Sequence, residues 1–213
     1  MRDAEFFLRW MTVAGDAVER EADRLTELDS PIGDADHGSN LLRGFTAVRA
    51  ALAADPAASP GAVLVLAGRT LISTVGGASG PLYGTLLRRT GKELGEAAEV
   101  SDEDLRKALY AGVGAVAQLG GAAPGDKTML DALVPGVAAL SGSYRAAADA
   151  AEHGARATVP MQARKGRASY LGERSIGHQD PGATSAALLL GALADVADAD
   201  TDTDTDTDTA DAS

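Results

Sequence analysis

The sequence predicts an all-α, single-domain protein, an antiparallel up-and-down bundle of eight helices with its chemistry gathered at one end. Three observations predict it. Apolar residues recur at helical spacing in segment after segment. Aromatic residues make up only 4% of a 213-residue chain rich in alanine and leucine, whose unbranched side chains lose little rotamer freedom in a helix. The connections between the apolar segments alternate between bland stretches and stretches dense in Gly, Asp and His.

Taken in order, Phe6, Phe7, Trp10, Met11, Ala14, Val18 and Leu25 form a first stripe, and Leu41, Phe45, Val48 and Leu52 a second. Residues 61–75 are apolar nearly all round, a pattern that a buried helix and a short buried strand share; Ser59-Pro60, an N-cap and first-turn pair, favours the helix. A fourth helix spans residues 82–94 with Tyr83, Leu86, Leu87 and Leu94. Ser101-Asp102-Glu103-Asp104 resembles a capping box and opens a fifth, with Leu105, Leu109, Val113 and Val116 on one face. Residues 127–140, with a kink at Pro135, 143–162 and 183–196 complete the set, and no segment reads as a convincing strand.

The joins after helices two, four and six (55–59, 95–100 and 141–142) are bland. Those after helices one, three, five and seven (28–40, 76–84, 119–129 and 164–182) carry the glycines, aspartates and histidines. In an up-and-down arrangement with short connections, alternate joins lie at the same end. The chemistry therefore has one address.

Composition narrows what that chemistry is. Lys and Arg number 19 against 31 Asp and Glu, a net charge of −12, of which eight charges lie in the stretch from Asp195 to Ser213 that has no Lys or Arg. A chain this acidic gains nothing from counterion release on a polyphosphate backbone, which argues against nucleic acid or an anionic membrane as partner. The absence of cysteine excludes disulfides, zinc thiolates and thiol catalysis. The charged start Met1-Arg2-Asp3-Ala4-Glu5 does not resemble a signal peptide, and no apolar run approaches the roughly 20 residues of a membrane span. These features predict a soluble cytoplasmic protein. Residues 197–213 end in a Thr-Asp repeat without apolar side chains to bury, and are expected to form a disordered acidic tail whose role is solubility, leaving 1–196 as the folded domain.

The first dense connection offers Asp29, Asp34 and Asp36 with Gly33 and Gly38 between and beside them, an oxygen-only set that suits a hard cation such as Mg²⁺. The alternative is an Asx-rich helix cap at Asp36 or Ser39 with solvated charge; three further glycine-rich joins at the same end weigh against it. Gly76-Gly77-Ala78-Ser79-Gly80 and Gly120-Gly121 suit close approach of backbone N–H groups to a phosphate, although glycines also end helices. Gly125-Asp126-Lys127-Thr128 has the look of a phosphate-loop ending but lacks the preceding glycine and the sheet, so no P-loop or Rossmann site is present. Arg164, Lys165, Arg167 and Arg174 form the densest positive cluster, and arginine forks suit phosphate oxygens. For His37 and His178 taken singly, a structural role outweighs a catalytic one, and His153 reads as surface.

Four ordered motifs then carry a resemblance: residues 32–38 (IGDADHG), 76–84 (GGASGPLYG), 125–131 (GDKTMLD) and the pair 166–172 (GRASYLG) and 177–183 (GHQDPGA). From about residue 3 to 196 the chain resembles the nucleotide-binding L subunits of dihydroxyacetone kinases. The resemblance implies an antiparallel eight-helix barrel with a nucleotide, ADP or ATP, at one end, and two Mg²⁺ ions held by Asp29, Asp34 and Asp36. It also implies that His37, Gly38, Ser39, Asn40, Ala78, Ser79, Gly120, Gly121, Thr128, Met129, Arg167, Asp180, Pro181 and Gly182 surround the nucleotide, with Arg167 also stabilising the transferred phosphate.

The family has two branches. In one, the L domain is fused to its partner and exchanges ADP for ATP; in the other, dependent on the phosphotransferase system, a free-standing L subunit keeps ADP as a coenzyme. A phosphohistidine M subunit recharges that ADP, and the phosphate passes to dihydroxyacetone on a separate K subunit. Chain length favours the second branch, a phosphoenolpyruvate–glycerone phosphotransferase active only with its partners; a homodimer is left open. A fatty-acid-kinase-type nucleotide domain, a nucleotide-dependent partner of a transcription regulator and a plain cation-binding bundle are the competing readings.

Overall fold

Asp3 and three serines start four of the helices. The Asp3 carboxylate accepts from the Phe6 N–H at the head of α1 (Ala4–Asp29). Ser59 Oγ accepts from the Ala62 N–H ahead of α3 (Pro60–Thr74), Ser101 Oγ from the Asp104 N–H ahead of α5 (Asp102–Gly120), and Ser143 Oγ from the Ala146 N–H ahead of α7 (Tyr144–Ala157). Each satisfies an otherwise orphaned donor of a first turn. The remaining helices are α2 (His37–Ala54), α4 (Ser79–Leu94), α6 (Leu130–Ala139) and α8 (Pro181–Ala210). A computed structural model describes residues 1–55 and 57–210, with side chains through Thr201. Pro56, in the join after α2, and residues 211–213 of the expected tail lie outside the described residues, as do the side chains of 202–210.

Each helix packs against its neighbours in sequence, and α8 returns to α1, so the eight form a closed ring. Trp10, at 0% exposure, seals the closure by donating its indole N–H to the Leu189 carbonyl at 2.9 Å, across α1 and α8. The interior is filled by Phe6, Phe7, Leu41, Phe45, Leu64, Leu71, Leu86, Leu105, Leu133 and Leu193, from seven helices. Full burial of such side chains contributes about 1.5–3 kcal/mol each before the entropy of ordering is set against it. The segment 61–75 is helical, with Val63, Leu64, Ala67 and Leu71 buried, as the Ser59-Pro60 start indicates.

The structure departs from expectation at element ends. A two-residue antiparallel pair, β1 (Arg2–Asp3) with β2 (Glu99–Val100), ties the N-terminus to the join after α4, where no strand is expected. α6 begins at Leu130 rather than near 127, because Gly125 and Lys127 have φ of 92° and 62°. α7 stops at Ala157, and Arg167–Ser175 forms a 3-10 stretch broken at Gly172. α8 runs through the expected domain boundary at 196/197: Ala197 is buried in the core, and Asp198 and Asp200 make ion pairs. Over Pro181–Thr201 this helix is long and apolar enough to cross a membrane by length and composition, yet it is the barrel's own wall, packed on α1, α6 and α7.

Candidate functional site

Four helices begin where the four dense connections end: α2 at His37, α4 at Ser79, α6 at Leu130 and α8 at Pro181. All four starting residues line one cavity of about 390 Å³ at this end of the ring, and none of the described residues of the three bland joins reaches it. The positive ends of four helix dipoles thus converge on one space, an arrangement that favours an anion.

On one side of the cavity stand the three aspartates, with carboxylate oxygens of Asp29, Asp34 and Asp36 within 4.8 Å of one another. Asp29 ends α1 and is buried; its Oδ2 accepts from the backbone N–H groups of Asp36 at 3.0 Å and His37 at 3.3 Å, which aims the carboxylate across the start of α2. Gly33 lies close against this carboxylate: a Cβ would lie 1.9 Å from Asp29 Oδ1, so a larger residue would displace it. Between the other two, Ala35 takes a left-handed φ of 58° that turns Asp34 and Asp36 toward Asp29. Three carboxylates without sulfur or imidazole among the donors fit a hard divalent cation. Arg167, on the 3-10 stretch, pairs with Asp34 at 2.8 Å.

From the cavity wall a chain of polar side chains runs inward, half-buried at Ser79 and buried at His37, Ser185 and Tyr83. Ser79 Oγ lies 3.2 Å from His37 Nδ1, His37 Nε2 lies 2.8 Å from Ser185 Oγ, and Ser185 Oγ lies 2.6 Å from the Tyr83 hydroxyl. Burial lowers the pKa of His37, against the opposing pull of Asp29 and Asp36, and raises that of Tyr83.

Lys127 also lines the cavity, but it is buried and its ammonium is taken up by backbone. Its ammonium donates to the carbonyls of Met161 (3.1 Å), Ser175 (2.6 Å) and His178 (2.5 Å), which uses its three protons and ties the join after α5 to the join after α7. Asp131 holds the same turn by accepting from the N–H groups of Gly125 and Thr128. Asp180 caps α8 by accepting from the Ala183 N–H at 2.7 Å. Desolvation, with the neighbouring charges of Asp131 and Asp29 adding to it, pushes its pKa up to about 7.

Of the residues expected at the site, Asp29, Asp34, Asp36, His37, Ala78, Ser79, Gly120, Thr128, Met129, Arg167, Asp180, Pro181 and Gly182 line the cavity. Four do not. Gly38 is wedged against α1, where a Cβ would lie 1.9 Å from the Ala22 carbonyl; Ser39 donates its hydroxyl to the Asp36 carbonyl. Asn40 is buried and accepts from Arg43, and Gly121 terminates α5 with φ 55°. Sequence reasoning missed Ser185, whose signal was a serine in a helix otherwise apolar from Ala186 to Leu193, and Tyr83 as a polar member rather than core. It also missed the apolar wall of Leu82, Val116 and Leu119 beside Met129, a surface suited to a flat ring.

Comparison with known proteins places this geometry. The DAK2 domain model matches residues 31–195. The chain is 46% identical over 197 residues to the ADP-binding subunit DhaL of the PEP-dependent dihydroxyacetone kinase of Escherichia coli K12, covering 88% of this chain and 94% of that one. It is 42% identical over 199 residues to the corresponding subunit of dihydroxyacetone kinase 2 of Listeria innocua, covering 88% and 92%. In three dimensions it is similar to the dihydroxyacetone kinase of C. freundii solved with AMP-PNP and Mg²⁺, with a TM-score of 0.72 and 27% identity. That match covers 88% of this chain but only 33% of the longer kinase.

Proposed function

The chain belongs to the DAK2-domain family, and from that premise we propose that it is the ADP-binding subunit of a phosphoenolpyruvate-dependent dihydroxyacetone kinase. When bound, Mg-ADP supplies a phosphate relay in this reading, from a phosphohistidine subunit to dihydroxyacetone held on a separate subunit, in the cytoplasm. The carrying observation is the convergence of Asp29, Asp34 and Asp36 with four helix N-termini on one cavity.

Asp29, Asp34 and Asp36 would hold Mg²⁺, two ions in this proposal, and their negative charge is matched to the cation rather than to the phosphates. Helix N-termini at His37, Ser79 and Pro181 would hold the phosphates, and Leu82, Val116, Leu119 and Met129, which line the same cavity, would hold the base. Arg167 pairs with Asp34, one of the residues that would hold the cation, and its guanidinium fork would serve phosphate oxygens once that carboxylate was engaged. None of these groups is a covalent nucleophile. They act by positioning and by cancelling charge, which is what phosphoryl transfer asks of a protein.

The relatives support the coenzyme reading, being ADP-binding subunits. The AMP-PNP complex of the C. freundii kinase supports a second reading, an L subunit that exchanges free ATP. Gel filtration of the purified protein separates them. The proposal expects ADP and Mg²⁺ to co-elute with the protein and Asp34→Ala to lose both. Protein free of ADP that phosphorylates dihydroxyacetone from added ATP with a triose-binding subunit establishes the second reading instead.

A further inference from the structure

The chain from Ser79 to Tyr83 can be hydrogen-bonded in two directions, and both are complete. In the first, His37 Nε2–H and the Tyr83 hydroxyl donate to Ser185 Oγ, whose own proton goes to the carbonyl of Pro181 at 3.0 Å or of Gly182 at 3.1 Å. His37 Nδ1 then accepts from Ser79, so Ser79 offers only lone pairs at the cavity wall. In the second, Tyr83 donates to Ser185, Ser185 donates to His37 Nε2, and His37 Nδ1–H donates to Ser79 Oγ. The Ser79 proton is then aimed at the cavity. The imidazole tautomer is what distinguishes the two, and each ring nitrogen has one side-chain partner in both.

We infer that Tyr83 and Ser185 are positioning residues: with His37 they form a reversible hydrogen-bond chain, and an anionic phosphate at the cavity wall selects the direction in which Ser79 donates. An acceptor ligand at Ser79 needs that proton, and without reversal His37 Nδ1 is left buried and unpaired. The inference rests on the nucleotide reading above, because it needs an anion at that wall.

The direction of each mutational effect follows. In Tyr83→Phe, the donating direction leaves a Ser185 lone pair unmatched, whereas the opposite direction still supplies it with the His37 Nε2 proton. Phe therefore biases the chain against the anion. In Ser185→Ala, His37 Nε2 loses its donor in the anion-selected direction, while as a donor it still has the Pro181 carbonyl beside it. Each loses about one net hydrogen bond in the bound state, so Mg-ADP should bind about fivefold to tenfold more weakly in both. Ser185→Thr, which keeps the hydroxyl, should recover most of the affinity.

The test joins titration calorimetry with Mg-ADP to side-chain NMR of His37, one of only three histidines in the chain. The wild type should show Nε2–H without ligand and Nδ1–H with saturating Mg-ADP, and Ser185→Ala should hold Nε2–H in both. Variants that weaken binding while the ring keeps its wild-type tautomer response point to packing alone and overturn the chain. The same ring state with and without Mg-ADP, in a wild type that binds it, also overturns the chain and leaves the nucleotide reading intact. A wild type that binds no Mg-ADP overturns both.

Discussion

Lys127 and Asp180 show how far a residue's surroundings decide its meaning. Lys127 stands in a Gly-Asp-Lys-Thr run that suggests a phosphate contact, yet its left-handed backbone turns the side chain inward onto three carbonyls. That outcome depends on residues some 34 to 51 positions away, which local pattern cannot show. Asp180 is legible as a helix cap but not as a titrating group, because its pKa near 7 comes from burial and from Asp131 and Asp29. Here the direction is opposite to that of an ordinary paired aspartate. Between pH 4 and 7 the folded protein holds a proton on Asp180 that the unfolded chain has released, so this group's contribution to stability falls as pH rises and levels off above about 7. Asp180→Asn keeps the cap acceptor and has no proton to lose. Denaturant melts of the metal-free proteins should therefore show the wild type losing stability relative to Asp180→Asn across that window, by up to about 4 kcal/mol. A pH-independent difference would sink the assignment.

At the scale of elements, the helices were legible where capping and periodicity agree. Ser59-Pro60 and Ser101 mark the starts of α3 and α5, and the alternation of bland and dense joins locates the cavity end of the ring. The ends were less legible. α6 loses its first residues to the left-handed turn at Lys127, the 3-10 stretch Arg167–Ser175 has no apolar period to read, and the two-residue β1–β2 pair is too short for alternation to show. What periodicity also hides is how closely α3 and α4 approach. Gly61 faces the carbonyls of Gly95 and Gly91, and a Cβ there would lie 2.1 and 2.6 Å from their oxygens. Backbone cannot yield as a flexible side chain would, so Gly61→Ala must push the two helices apart. Alanine's better helix propensity offsets this by only about 1 kcal/mol. We expect a net loss of about 1–3 kcal/mol in chemical denaturation. A variant as stable as the wild type would show that the helices separate at no cost.

Across the whole molecule, charge and length separate the two ends of the ring. The site end holds the aspartates and the cationic cluster; the far end holds the N-terminus, the β1–β2 pair and the late turns of α8. There Arg2 packs on the rings of Phe6 and Tyr144 and pairs with Asp102 and Asp200, Arg9 pairs with Asp200, and Arg145 pairs with Asp195 and Asp198. The acidic stretch thus has two parts with different consequences. Removing residues 202–213 deletes Asp202, Asp204, Asp206, Asp208 and Asp211 and changes the net charge from −12 to −7. From Pro181 to Thr201, α8 covers about 30 Å at 1.5 Å per residue, several times the roughly 8 Å screening length of physiological salt. Mg-ADP affinity should therefore stay within about twofold of the full chain, the error of the comparison being far below the tenfold that 1.4 kcal/mol represents. Truncation after Val196 is different, because it also removes the buried Ala197, Asp198, which pairs with Arg145, and Asp200, which pairs with Arg2 and Arg9, while Asp102 and Asp195 stay on Arg2 and Arg145. The exposed Arg145–Asp198 pair contributes little, at most about 1 kcal/mol; the losses that matter are the buried Ala197 and the Asp200 partner of Arg2, 17% exposed, which keeps Asp102 and its two rings. The melting temperature should drop by several degrees while the folded fraction binds Mg-ADP as before. Melting curves and calorimetry on the two truncations decide it: a loss of affinity in the shorter deletion would tie the tail to the site and remove the separation of ends on which this expectation stands.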